Sequence, residues 1–596
     1  MLPKRQALTP KRMGRGNRLP TLALHHIGHW LLMYLVLGVF VTNASAQILQ
    51  RSLPDVRPGD ERQEIPDFET SEDSNFGSIL PPYPVPTAGS IDNLHSEDQV
   101  PVKRIVIEGN TVLSDSVLSA IAQNYVGRNL SPSSLGTLRD RLTLAYLDRG
   151  YATSGASFPE QSLRDGILRI KIVEGQLGDI FVEVIGRTKP SYFKKRLMRS
   201  QKEILNVRSL QRQLEIFKRS SQVETIKASL GPTSVLGVAS LHVVVHETSA
   251  YNVSAAFDNY RSPSIGSLGG TASARANNLA GYGDTYFASY TGSSGLNQFD
   301  AFIRVPITIL DTSLATRYQY NQGDVIDSNL LALGISSESQ SISFELRQPL
   351  YRSSKATVVA GAIGQWSKAQ SFLENGALPF PTEFSPNGIS QISALRLSLE
   401  TTYRTKNHSI AFRSLFSWGI DALGATINPS GIADSQFFAW LGQFQSASRL
   451  PWLDAVLLGR LDTQLSADPL LPLEQFAVGG RYTVRGYRQN ALVRDNGVNA
   501  SLEVRIPVYR NSKYDFRIEL APFADFGSSW NNARSSLASS TETETIGSLG
   551  LGARAVSGDW GFAEIYWGHP FDDVRALGDS DLQDDGIQFR VSLNWP

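Results

Sequence analysis

From residue 251 to the end of the chain, apolar and polar residues alternate in short runs, and no stretch there repeats with a helical period. Residues 252–258, 285–290 and 313–320 are examples, separated by turns rich in Gly, Asn, Ser and Asp. A period of two sends successive side chains to opposite faces of a strand. Several such strands in a row, each one weakly hydrophobic, are the signature of a transmembrane β-barrel. At roughly 20 residues per strand and connection, this stretch holds about 16 strands. The final run is the clearest. Phe589, Val591, Leu593 and Trp595 fall on one face, and Gln588, Arg590, Ser592 and Asn594 on the other. The first face suits lipid, with Trp595 at the interface, and the second suits a watery lumen. Arg304-Val-Pro306, Arg347-Gln-Pro349, Arg449-Leu-Pro451 and Arg505-Ile-Pro507 recur along the region. Proline lacks a ladder donor, so each is read as a strand end at a short periplasmic turn. The longer polar stretches 373–390, 419–435 and 531–545 are then read as extracellular loops.

Upstream the pattern is different. Residues 103–110 alternate and end in a turn, and Ser114 stands where it can cap a short helix. Leu138, Leu142, Ala145 and Tyr146 recur at helical spacing, and Gly150 closes that helix. Strands follow near 152–158 and 166–174. The order β-α-α-β-β then repeats, with strands at 180–185, 223–230 and 239–246 and helices around 192–198 and Leu210, Leu214 and Phe217. The expected organisation is α+β repeats over 101–175 and 176–248, followed by a barrel over 249–596.

The first hundred residues build no core. Lys4, Arg5, Lys11, Arg12, Arg15 and Arg18 precede the apolar run 31–41, and Ala44-Ser45-Ala46 offers a small-residue cleavage pattern. This reads as a secretory signal peptide over 1–46, since the run is short against the roughly 20 residues of a spanning helix. Residues 47–100 hold seven prolines and many acids, and read as an extended linker.

Composition narrows the chemistry. The formal net charge is zero, and removal of the six basic residues of the leader leaves an acidic mature chain, so no nucleic-acid partner is indicated. There is no cysteine, which rules out disulfides, a thiol nucleophile and cysteine metal sites. No hydrolase elbow or zinc-protease motif occurs, so no catalytic residue, cofactor or metal site is assigned and an enzyme is not expected. Asp579, Asp581, Asp584 and Asp585 have the wrong spacing for a calcium loop and read as a turn.

One motif rises above this background. Val484-Arg485-Gly486-Tyr487 lies late in the alternating region, and Phe523, Asp525 and Gly527 follow on a later strand. A loop arginine is ordinarily solvated. An arginine buried inside a barrel instead needs a planar, bidentate acceptor, which a carboxylate supplies. Gly486 permits positive φ or close backbone approach, and Tyr487 can pack or hydrogen-bond against the wall.

This pair of clusters resembles the loop-and-strand lock of the bacterial protein-translocating outer-membrane barrels. Two upstream repeats, similar to polypeptide-transport-associated (POTRA) repeats, make the chain resemble the haemolysin-activator branch of the two-partner secretion transporters. The resemblance implies an outer-membrane protein with periplasmic repeats, surrounded by lipid and inserted by the barrel-assembly machinery. It would bind a large unfolded exoprotein of haemolysin or adhesin type and conduct it outward. In that family a short helix often plugs the barrel ahead of the linker, although Pro54 and Pro58 interrupt 48–65 here. Cargo recognition would fall to an exposed strand edge, with Ala152 and Phe158 on the edge and Leu142 and Tyr146 on the adjacent helix. The competing reading makes Leu142 and Tyr146 plain core. Other functional readings are a barrel-assembly insertase, which usually carries more repeats, and a pore or uptake receptor.

Overall fold

The computed structural model describes residues 99–161, 165–201, 204–220, 222–382, 384–532, 542–572 and 579–595. The expected signal peptide and nearly all of the expected linker lie outside the described residues.

The first repeat contains β1 (Val100–Val102), β2 (Arg104–Glu108), α1 (Asp115–Ala122), β3 (Arg128–Leu130), α2 (Pro132–Leu147), β4 (Gly155–Ser157) and β5 (Ile167–Val173). Its sheet has the order β2-β5-β4, with β2 parallel and β4 antiparallel to β5. β1 and β3 form a separate two-stranded pair that the alternation did not signal, because each strand is only three residues long. Ser131 caps α2 by accepting from the Ser134 amide at 3.2 Å. Ser114 stands at the start of α1 but makes no capping bond, and its hydroxyl meets Ser116 instead.

The second repeat has β6 (Gln176–Ile185), α3 (Pro190–Ser200), α4 (Val207–Lys218), β7 (Val223–Pro232) and β8 (Val238–Glu247). Its sheet order, β6-β8-β7, has the same parallel and antiparallel pairings as the first. Each repeat covers one sheet face with its two helices. Leu210, Leu214 and Phe217 of α4 meet Leu241, Val243 and Val245 of β8 in a sealed cluster. Burying such side chains contributes roughly 1.5–3 kcal/mol each.

The barrel begins with β9 (Tyr251–Asp258), β10 (Gly269–Asn277), β11 (Thr285–Ser293), β12 (Leu296–Pro306) and β13 (Ser313–Asp324). It continues with β14 (Ser336–Arg352), β15 (Ala356–Leu373), a two-residue β16 (Leu378–Pro379), β17 (Ile389–Arg404), β18 (His408–Ile420), β19 (Phe438–Leu450) and β20 (Ala455–Ser466). β21 (Phe476–Val478) and β22 (Leu492–Arg494) pair only with each other, inside the loop after β20. β23 (Asn496–Asn511), β24 (Phe516–Trp530), β25 (Glu544–Ser557), β26 (Gly561–Pro570) and β27 (Ile587–Trp595) complete the wall. Apart from the short β16, which lies beside β15, sixteen antiparallel strands form a closed ring, and β27 pairs with β9.

The alternation sorts the wall as a bilayer requires. On β17, Leu395, Leu397 and Leu399 are exposed outward, while Arg396 and Ser398 are buried inward. On β27, Val591, Leu593 and Trp595 are exposed and Gln588 and Ser592 are buried. The proline motifs need a correction. Pro306 and Pro451 lie at or just beyond strand ends, but Pro349 and Pro507 lie within β14 and β23, each beside a register shift. A bulge leaves one residue unpaired, so a proline is tolerated there without ending the strand.

The second repeat joins the barrel through specific bonds at one end. Arg196 of α3 donates to Asp311 in the β12–β13 turn at 2.9 and 2.6 Å, and Arg352 donates to the other oxygen of Asp311 at 2.7 Å. Burial, followed by the Asp311 charge, raises the phenol of Tyr192 above its ordinary value on the same helix.

Candidate functional site

The loop between β20 and β23 folds inward. Its β21–β22 hairpin places Phe476, Val478, Val484, Tyr487 and Leu492 against Leu415 of β18, Leu441 of β19 and Ile546 of β25. The loop therefore touches well-separated parts of the wall and occupies the lumen between them.

Arg485 is only 2 % exposed and Asp525 only 4 %. The Arg485 Nε donates to Asp525 Oδ2 at 2.8 Å and Nη2 donates to Oδ1 at 2.9 Å. The Arg485 backbone amide also donates to Asp525, at 3.0 Å. Nη1 pairs with Glu503 on β23, and Nη2 reaches the Ser501 hydroxyl at 3.1 Å. The guanidinium lies 3.6 Å from the ring centre of Phe523 and 4.9 Å from that of Tyr566. A desolvated cation is thus satisfied by two carboxylates and two aromatic rings.

The glycines of the two motifs fit this geometry. Gly486 has φ +89°, and a Cβ there would sit 2.8 Å from the Gly568 carbonyl oxygen on β26. A Cβ at Gly527 would overlap Val478 and Val484 of the loop. Tyr487 donates its hydroxyl to the Gly547 carbonyl at 3.0 Å. Val484, Arg485, Gly486, Tyr487, Phe523, Asp525 and Gly527 therefore come together in one place.

Sequence reasoning missed three participants. Glu503 has an alternation that faces it to the lumen, but that gives no partner for it. Arg481 donates to Glu564 of β26 at 3.1 Å, and Tyr260 donates to the same carboxylate at 2.9 Å. Arg488, at the outer side of the loop, donates to Asp584 at 2.5 and 2.6 Å. Burial pushes the Asp584 carboxyl up, but the Arg488 bond and charge together with the Asp581 amide outweigh it and hold the carboxyl below its ordinary value. Asp579 accepts from the Ser328 amide at 3.0 Å and Asp581 from the Ser267 hydroxyl at 2.5 Å, so these acids tie extracellular loops together. On the repeat side of the lumen loop lies a cavity of about 1010 Å³, with Arg449, Arg460, Arg505, Arg510, Arg517 and Arg554 among its lining residues.

The suggested cargo-binding residues divide. Leu142 and Tyr146 are fully buried in the first repeat's core and present no surface to a passing chain. The Tyr146 hydroxyl donates to Asn110 at 2.6 Å, and burial with Glu174 alongside pushes the phenol well above its ordinary value. Their helical spacing reported packing. Ala152 lies just before the short β4 and is half-buried, and Phe158 packs at the margin of the core. Among the described residues β4 pairs on one side only, which leaves it as an edge strand of this sheet.

The comparisons agree with this architecture. Residues 237–555 match the family model "Haemolysin secretion/activation protein ShlB/FhaC/HecB", and residues 100–175 match a ShlB-type POTRA domain. The chain is 24 % identical over 420 residues to the outer membrane transporter CdiB of Escherichia coli O6:K15:H31, covering 66 % of this chain and 67 % of that one. The solved structure of CdiB from Escherichia coli superposes with a TM-score of 0.64 at 19 % identity, over 93 % of this chain and 98 % of that one. BamA from Haemophilus ducreyi lacking POTRA domains 1–3 gives 0.50 at 15 % identity, over 84 % and 100 % respectively. With more than half its length matched by one family model, the chain belongs to the haemolysin secretion/activation family of ShlB, FhaC and HecB, as an outer-membrane transporter with periplasmic repeats.

Proposed function

We propose that this transporter exports a large, unfolded exoprotein of haemolysin or adhesin type, and that its lumen loop closes the barrel between transport events. The observation that carries the reading is the buried Arg485–Asp525 pair inside a closed ring of strands. A buried ion pair fixes one conformation more surely than it adds stability, which suits a closure that must also be released. The cargo enters from the repeat side, past the arginine-lined cavity, and leaves as the loop is displaced. No nucleotide motif occurs in the sequence, so folding of the exported chain outside the cell supplies the direction. The edge strand β4, flanked by Ala152 and Phe158, is the proposed first contact for cargo, by strand addition. Insertion of the barrel itself falls to the barrel-assembly machinery.

The test is secretion. Cells with and without this protein are compared for one large extracellular protein, and Arg485→Ala and Asp525→Ala are then tested for its export. Both variants are expected to insert and to secrete poorly. Normal secretion by both would end the proposed role of the pair. The likeness to BamA favours one other reading, an insertase. Broad loss of outer-membrane proteins on depletion would support that instead.

A further inference from the structure

The lumen loop has a further buried attachment, on a different sector of the wall from both Arg485 and Arg481. Glu474 lies in the first limb of the loop, just before β21, and is 4 % exposed. Arg396 lies on β17, faces the lumen and is 3 % exposed. The Arg396 Nη1 donates to Glu474 Oε2 at 3.0 Å and Nη2 donates to Oε1 at 2.6 Å, which is a bidentate pair. Arg396 also donates to Gln365 of β15 at 3.2 Å and to the Ser417 hydroxyl of β18 at 2.6 Å, so the wall as well as the loop holds the guanidinium. Beside the pair, Leu470, Leu471 and Leu473 of the same limb pack on Ile392 and Ala394 of β17, on Ala439 of β19 and on Phe437 just before it.

The other bonds of this limb have a different reach. Asp495 accepts from the Leu470 amide at 3.0 Å, from Gln475 at 3.2 Å and from the Asn532 amide at 2.9 Å. These stitch the two limbs of the loop to each other and to the end of β24. Only Glu474, among these acids, ties the limb to β17. In the ring, β17 and β24 are separated by β18, β19, β20 and β23. Arg485 is thus fixed at β23 and β24 while Glu474 is fixed several strands away.

We propose that Arg396 and Glu474 form a second latch, which holds the first limb of the loop across the lumen and opens separately from the Arg485 pairing. Both partners are positioning residues, and the proposal rests on the reading that the loop moves during transport. Removing either charge leaves its partner buried and unpaired, which is the costly way to break such a pair. The limb should then leave β17 while the tip stays docked on β24.

The absence of cysteine makes this directly measurable, because a single introduced thiol is the only one in the chain. Two reporters are used in the full-length protein in outer-membrane vesicles: Leu473→Cys beside Glu474, and Ala491→Cys, buried in the cluster around the tip. The readout is the rate of modification by a polar maleimide, with heat-modifiable mobility confirming a folded barrel. In Arg396→Gln or Glu474→Gln, labelling at position 473 should rise at least about tenfold and labelling at 491 should stay within about twofold. Asp525→Asn should give the converse. The exchanged pair Arg396→Glu with Glu474→Arg should restore slow labelling at 473, and this keeps the test decisive where a single variant assembles poorly. Equal acceleration at both reporters, no acceleration at 473, or no recovery in the exchanged pair would overturn the second latch. None of these readouts depends on cargo, so failure of the latch and failure of the secretion reading are told apart.

Discussion

The repeats and the barrel bury opposite kinds of residue. In the repeats Leu138, Leu142, Leu210 and Leu214 are fully sealed, while charged side chains such as Arg169 and Glu108 face water. In the barrel Leu395, Leu397, Leu549 and Leu551 face outward, while Arg396, Glu474, Arg485, Asp525 and Glu503 are the sealed ones. The same alternation of apolar and polar positions serves both regions. What differs is the solvent on each side. A repeat has water outside, so its core is held by removal of apolar surface. A barrel has lipid outside, so most apolar side chains of the wall turn outward, and the interior combines hydrogen bonds and ion pairs with the apolar clusters beneath the lumen loop. The first kind of interior is non-directional and tolerates repacking. The second is directional, and each lost partner strands a charge.

Substitutions in the two regions should therefore fail in different ways. The largest effect is expected inside the barrel. Asp525→Ala leaves Glu503 as the one carboxylate on Arg485 and should weaken docking of the loop tip by about 3–5 kcal/mol. Thiol labelling at position 491 reads this, and unchanged protection would show that the apolar cluster alone holds the tip. Leu142→Ala, in the first repeat, should cost about 2–5 kcal/mol as a cavity. Calorimetry of the full chain should show the repeat transition lowered with the barrel transition unmoved. Loss of stability in the barrel as well would contradict the separation of the two interiors. Leu397→Arg, on the lipid face, should cost about 2–4 kcal/mol if it lies near the bilayer midplane. The fraction of folded barrel in reconstitution measures it, and a neutral result would place that face away from lipid.

The smallest effect is at the outer rim. Asp584 is held below its ordinary pKa, so the Arg488–Asp584 bond contributes fully above the usual carboxylate range and is lost as pH falls through the lowered value. For a partly exposed pair the contribution is roughly 0–1 kcal/mol. A dye on Gln489→Cys should lose anisotropy on acidification, and Asp584→Asn should lack that transition. An identical transition in Asp584→Asn would assign the change to another group.

Much of this was legible in advance, for identifiable reasons. β9, β11, β13 and β27 were readable because alternation over eight or more residues has one simple explanation. The β-α-α-β-β repeats were readable because both periods occur in a fixed order. The three-residue β1 and β3 were not, since a run that short has no period to detect. Pro349 and Pro507 misled because a bulge and a strand end look alike in sequence. Leu142 and Tyr146 were weighed as a cargo surface, whereas their side chains are core.

The sequence by itself determined the order of modules, the two faces of the last strand and the special character of Val484-Arg485-Gly486-Tyr487. Period, turn chemistry and a rare local motif are properties of neighbours along the chain, so they can be read there. Only the tertiary structure decided that Asp525 shares Arg485 with Glu503, that Phe523 and Tyr566 cover its guanidinium, and that Glu474 reaches Arg396. Those pairings depend on which strands the closed ring brings opposite an inward-folded loop. Alternation says which charges face the lumen, and ring closure says which of them meet.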